Sequence, residues 1–298
     1  VHIKNTATGD DTPLVLTLQT GETDIAAADV LGQIDFQAPD EGTGTDAILV
    51  AAGVSAISEG DFSSSSNATK LSFKTAASEA ATEKMYITST GNVNMKNTAT
   101  GDDTPVTLTL QTGETDIAAA DKLGVINFQA PDEGTGTDAI LVAAGIEAIS
   151  EGDFSSSNNA TKLSFKTAAS EAATEKMHIT SAGNVNMKNT ATGDDTPVVL
   201  TLQTGETDIA ASDKLGVINF QAPDEGTGTD AILVAAGIEA VSEGDFSSSN
   251  NATKLSFKTA ASAAAAETAS LSSVGLFNAT GLGIAAQKMQ SFLLMFQN

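Results

Sequence analysis

Thr161-Lys-Leu-Ser-Phe-Lys-Thr167 alternates without interruption, with Leu163 and Phe165 on one side of an extended chain and Lys162, Ser164 and Lys166 on the other. The period is two rather than 3.6, which predicts a half-solvated antiparallel strand. The same period runs outward in both directions. Met177 and Ile179 alternate with Lys176, His178 and Thr180, and Ile126, Phe128 and Ala130 alternate with Val125, Asn127 and Gln129. Within Pro105–Gln111, Val106, Leu108 and Leu110 face away from Thr107 and Thr109. The run Ala139–Ile149 starts apolar on both faces and predicts a central strand. Turn chemistry separates these runs, in GDDTP, PDEGTGTD, EGDFSSSNN and SAGN. Ile117–Leu123 and Ala168–Lys176 have helix-friendly composition but are too short to stand alone, and read as turns. Five or six short strands per unit point to an all-β sandwich or prism.

The unit repeats. KNTATGDDTP begins at Lys4, Lys96 and Lys188, a period of 92 residues. Residues 96–170 and 188–262 differ at three places: Thr107 against Val199, Ala120 against Ser212, and Ile149 against Val241. Uniformity of this kind marks tandem copies of one structural unit. The expected organisation is β repeats at 1–95, 96–187 and 188–279, the last divergent from residue 263, and a C-terminal tail at 280–298. In that tail Ala285, Met289, Phe292, Leu293 and Phe296 fall at helical spacing, which predicts a short amphipathic helix. Val1–Lys4 occupies the repeat position of Val93–Lys96, so more chain is expected upstream; VHIKNTATG has no signal-peptide pattern.

Composition removes several function classes. The net charge is −24, and all the basic residues are lysine. Nucleic-acid binding needs clustered positive charge and favours arginine, so neither DNA nor RNA is an expected partner. No segment reaches the ~20 apolar residues of a membrane-spanning helix, so no membrane insertion is expected. With no cysteine, disulfides and thiolate metal sites are excluded.

No catalytic, cofactor or metal residue stands out. Asp102-Asp103, Asp132-Glu133 with Asp138, and Glu151 with Asp153 are oxygen-rich loops of the kind that bind Ca²⁺. None has a calcium-loop spacing, and capping turns account for them better. A pair of carboxylates serves a glycosidase, but sugar clefts use aromatic platforms, and the chain has no Trp and one Tyr, Tyr86. His2 and His178 read as surface positions. Asn67, Asn159, Asn251 and Asn278 each begin Asn-Ala-Thr, and the first three share one Ser/Asn-rich turn. Phe36, Phe128 and Phe220, like Phe73, Phe165 and Phe257, recur at fixed phase and read as core.

EKMYITSTGNVNM (Glu83–Met95) and EKMHITSAGNVNM (Glu175–Met187) resemble a segment of bacteriophage tail fibres, in which such a strand closes a β domain. LGVINFQAPDEG (Leu123–Gly134) followed by TKLSFKTA (Thr161–Ala168) fits the same order. Lysine replaces the usual arginine, and the third copy lacks the EKM…GNV signature. The resemblance implies an elongated, homotrimeric β fibre on a virion that acts in host attachment, with other tail proteins and a host-cell receptor as partners. A trimer also suits a 92-residue unit poor in aromatics, because packing between chains supplies burial that one chain lacks. The expected function is structural, spanning distance rather than catalysing a reaction. The competing expectation is a secreted or cell-surface bacterial adhesin of tandem β-sandwich domains, monomeric along its stalk.

Overall fold

The computed structural model describes residues 4, 6, 13–39, 42, 44–131, 136–223 and 228–280. The predicted C-terminal helix, His2 and the pair Asp132-Glu133 lie outside the described residues. The chain divides into two compact units, residues 1–125 with 153–156 and residues 126–152 with 157–298.

The first sheet lies in the first unit. Its strands are β1 (Val30–Gln37), β2 (Val50–Ser58), β3 (Thr69–Thr75), β4 (Thr82–Ile87) and β5 (Val93–Met95). They pair in chain order as an antiparallel meander, β1-β2-β3-β4-β5. The second sheet comprises β6 (Lys122–Phe128), β7 (Ala144–Ser150), β8 (Thr161–Thr167), β9 (Thr174–Ile179) and β10 (Val185–Met187), again in chain order. The third, in the second unit, comprises β11 (Lys214–Phe220), β12 (Ala236–Ser242), β13 (Thr253–Thr259), β14 (Ala266–Leu271) and β15 (Phe277–Ala279). No α-helix occurs among the described residues; single 3₁₀ turns lie at Asp46–Ile48, Asp138–Ile140 and Asp230–Ile232.

Local chemistry fixes each hairpin. Between β4 and β5 the Thr88 N–H donates to the Asn92 carbonyl at 2.9 Å and the Gly91 N–H to the Thr88 carbonyl at 3.0 Å. Closing the chain so tightly needs a left-handed residue, and Gly91 supplies it at φ 84°. Before β1, the Asp29 carboxylate accepts the Ala26 N–H at 2.6 Å, and Ser58 Oγ accepts the Asp29 N–H at 2.9 Å while donating to the Ala26 carbonyl. This clamp holds Ala28 at φ 74°, a conformation alanine disfavours. Ser212 is in the same state at φ 79°, with Asp213 and Ser242 as the clamp.

Three expectations change. Each repeat forms one sheet, not the two facing sheets of a sandwich, because all five strands join a single meander. Pro105–Gln111 belongs to no strand, since no other described segment pairs with it. The central-strand reading of Ala139–Ile149 holds in its second half: β7 lies between β6 and β8, while the start of the run goes into the 3₁₀ turn.

Candidate interaction surface

A single sheet has two faces, and here they are unlike. In the first sheet Gln33, Ser55, Ser72, Tyr86 and Asn94 pair across the strands as one polar row. The neighbouring row on the opposite face is Ile34, Val54, Phe73, Met85 and Met95. In the third sheet the rows are Val217, Glu239, Ser256, Ser270 and Asn278 against Ile218, Ile238, Phe257, Ala269 and Ala279.

The centre of the polar face is buried, while Gln33 and Asn94 at its edges are exposed. Ser55 and Ser72 are 1% and 0% exposed. Small serines sit at the centre, and long charged side chains from adjacent positions close over them. Lys70 pairs with Glu83 at 2.8 Å and lies 4.7 Å from the Tyr86 ring centre, and Lys96 reaches Glu83 at 3.2 Å. In the second repeat Glu175 is held by Lys162 at 2.8 Å and by His178 Nδ1 at 2.9 Å. His178 is therefore half-buried in an ion-pair cluster rather than a free surface residue, because it shares a cross-strand row with Ser164 and Asn186. The Ser72 and Ser164 hydroxyls lie beneath these carboxylates and help keep them ionised, although neither reaches full hydrogen-bond geometry with a partner.

Burial pushes the carboxyl pKa of Glu83 and Glu175 up, but hydrogen bonds and charge from the lysines outweigh it and hold both at about 2. Glu239 is depressed for the same reasons, by Lys258 and Lys214. Acids held this low stay ionised and do not donate protons near neutrality, so they serve as ion-pair anchors rather than general acids.

The repeats differ here in a coordinated way. Val30, Gln33 and Ser55 of the first repeat stand where the third has Lys214, Val217 and Glu239. In the first, Ser55 donates to Gln33 Oε1 at 3.1 Å and Lys74 to the same oxygen at 3.3 Å. In the third, Glu239 takes both Lys258 and Lys214 at 2.9 Å. Either set leaves the central lysine with an acceptor.

The apolar face is open. Ile34 is 47% exposed, Phe36 57% and Val93 58%, and Ile218, Phe220 and Phe277 are similar. The phenylalanines predicted as core thus share a face as expected; Phe73 and Phe165 are half-buried, but Phe36, Phe128 and Phe220 remain more than half exposed. Leu14, Leu16 and Leu18 are exposed too. A Cβ built on Gly32 would lie 2.8 Å from the Leu18 Cβ, which places that segment on the apolar face of β1. Leu202 stands on Gly216 at the same distance in the third repeat. Where one repeat passes into the next, Asn97 Nδ2 donates to the Thr104 and Pro105 carbonyls at 3.3 and 3.4 Å. Met85, Met95, Pro105 and Val106 border a shallow depression of about 450 Å³ there.

No protein-family model matches the chain, and no curated protein matches it. Among solved structures it is similar to the carboxy-terminal domain of the bacteriophage T5 L-shaped tail fibre. Against the form with its intramolecular chaperone domain, the TM-score is 0.28 at 11% identity, over 77% of this chain and 70% of that one. Against the carboxy-terminal domain alone, the TM-score is 0.27 at 12% identity, over 76% of this chain and 97% of that one.

Among the described residues no group of three His, Cys, Asp or Glu side chains could hold an ion. Asp102 and Asp103 are exposed in a turn, with Asp103 at φ 55°, and Asp138 opens a 3₁₀ turn. Glu151 caps the β9–β10 turn by accepting the Ser181 N–H at 2.9 Å. At Asn67, Asn159 and Asn251 the following threonine hydroxyl donates back to the asparagine carbonyl at 2.9 to 3.0 Å. Asn278 lies in β15 opposite Ser270. The lysine–glutamate rows were missed in the sequence. Their signal is the shared phase of Lys162 and Lys166 on a strand adjacent to the one carrying Glu175.

Proposed function

We propose that this chain is a shaft segment of a bacteriophage tail fibre, a structural virion protein that works as a homotrimer. The observation that carries the reading is the apolar face of each repeat, which the described residues of its own chain leave largely open. Contiguous exposed apolar surface marks an association site. Burying a single Phe or Leu side chain is worth about 1.5–3 kcal/mol, and every repeat offers several. Three copies with these faces turned inward would form a prism, with the lysine–glutamate face toward water. The repeats at 1–95, 96–187 and 188–279 would act as serial units, so the work is mechanical: spanning distance and supporting host attachment. Other tail proteins at one end and a host-cell receptor at the other are the partners this role requires.

The test is mass in solution by native mass spectrometry or light scattering. Three chains per particle are expected. Replacing Phe36, Phe128 and Phe220 together by Asp should break that particle into single chains or aggregates. One wild-type chain per particle would overturn the reading and favour a monomeric stalk of the adhesin kind.

A further inference from the structure

We infer that the three extended segments 14–19, 106–111 and 198–203 pair by backbone hydrogen bonds with a second copy of this chain. The inference rests on the self-assembly just proposed and names the part of the chain that crosses between copies.

Each segment has strand character without a strand partner. Leu14-Val-Leu-Thr-Leu-Gln19 is rich in β-branched and apolar residues, yet it joins no ladder and makes no backbone hydrogen bond within the described chain. Val106–Gln111 and Val198–Gln203 repeat this state. In water such a backbone is satisfied by solvent. That option ends if the apolar face is covered, because the segment stands on that face: Leu18, Leu110 and Leu202 lie 2.8, 2.9 and 2.8 Å from the Cβ positions of Gly32, Gly124 and Gly216. Whatever excludes water from Phe36 also excludes it from Leu16 and Leu18. Backbone N–H and C=O groups buried in this way must find protein partners, and a strand of another chain is the direct way to supply them.

The period says which chain. The same unpaired segment recurs every 92 residues on the same sheet face. A partner must therefore offer matching backbone at the same interval, as a second copy aligned repeat to repeat does.

Hydrogen exchange on the intact assembled protein tests this, read together with its mass. The three segments differ in sequence, LVLTLQ, VTLTLQ and VVLTLQ, so their peptides are told apart. Amides 15–19, 107–111 and 199–203 should exchange at least about 100-fold more slowly than an unstructured chain, as hydrogen-bonded strands do. Unstructured rates in a particle of several chains would overturn the inference and leave the assembly intact. A single-chain mass would overturn both.

Discussion

Leu18 and Gly32 stand closer than two side chains can: a Cβ on Gly32 would lie 2.8 Å from the Leu18 Cβ and 3.3 Å from the Leu18 carbonyl oxygen. The atoms in the way are the root of a side chain and the backbone itself, so neither can swing aside. Glycine is required here by contact, not by conformation.

Gly32→Ala is therefore expected to destabilise by about 1–3 kcal/mol through overpacking, and Gly124→Ala and Gly216→Ala should match it. Gly21→Ala, where nothing lies within 4 Å, should change stability by less than about 0.5 kcal/mol. Urea unfolding of the four variants is the measurement. Equal midpoints for Gly21→Ala and Gly32→Ala would show that the Leu18 contact does not exist.

The carboxylates of the polar face predict acid sensitivity. Glu83 and Glu175 sit at about 2 in the fold against an ordinary value of 4.5. A group depressed by folding contributes its full stability above the ordinary value and loses it as the pH falls through the folded one. The unfolding midpoint should thus drop steadily between pH 4.5 and 2. In the double variant Glu83→Gln, Glu175→Gln the drop should be shallower and the midpoint at pH 7 lower. An unchanged slope would mean that other groups carry the acid response.

Ala120 is held at φ 76°, as Ala28 is at φ 74°. Left-handed alanine costs roughly 1–2 kcal/mol, partly offset by the extra unfolded-state freedom of glycine. Ala120→Gly should therefore raise stability by up to about 1 kcal/mol in thermal or urea unfolding. Destabilisation would indicate that the methyl group packs in the assembled protein.

Some strands that pair within the chain were legible in the sequence, although the turn readings of Ile117–Leu123 and Ala168–Lys176 run into the starts of β6 and β9. Thr161–Thr167 is β8, and EKMHI falls within β9. Alternation also placed Phe36 and Phe128 on the correct face. It could not say what lies opposite that face, because a period of two reports which side chains point together and nothing about their cover. Pro105–Gln111 shows the same limit from the other side: its alternation is as clean as that of β8, but a ladder needs a second strand, and none of the described residues provides one. His178 was misplaced because phase alone puts it outward. Its burial comes from a carboxylate three residues earlier and from Ser164 and Asn186 on the neighbouring strands, relations that exist only once the register is set.

The exchange of Val30, Gln33 and Ser55 for Lys214, Val217 and Glu239 bears on how such an array can be recombined. A crossover between the first and third repeats that falls between β1 and β2 would separate partners. In one product Glu239 keeps Lys258 but loses Lys214; in the other Lys74 loses Gln33 as acceptor and the incoming Lys214 finds no carboxylate. The second product leaves two lysines on the polar face without their acceptors. Crossovers in the loops outside a sheet avoid this, so between the first repeat and the others the meander is best exchanged whole, whereas the second and third repeats, alike at these positions, can recombine anywhere in register.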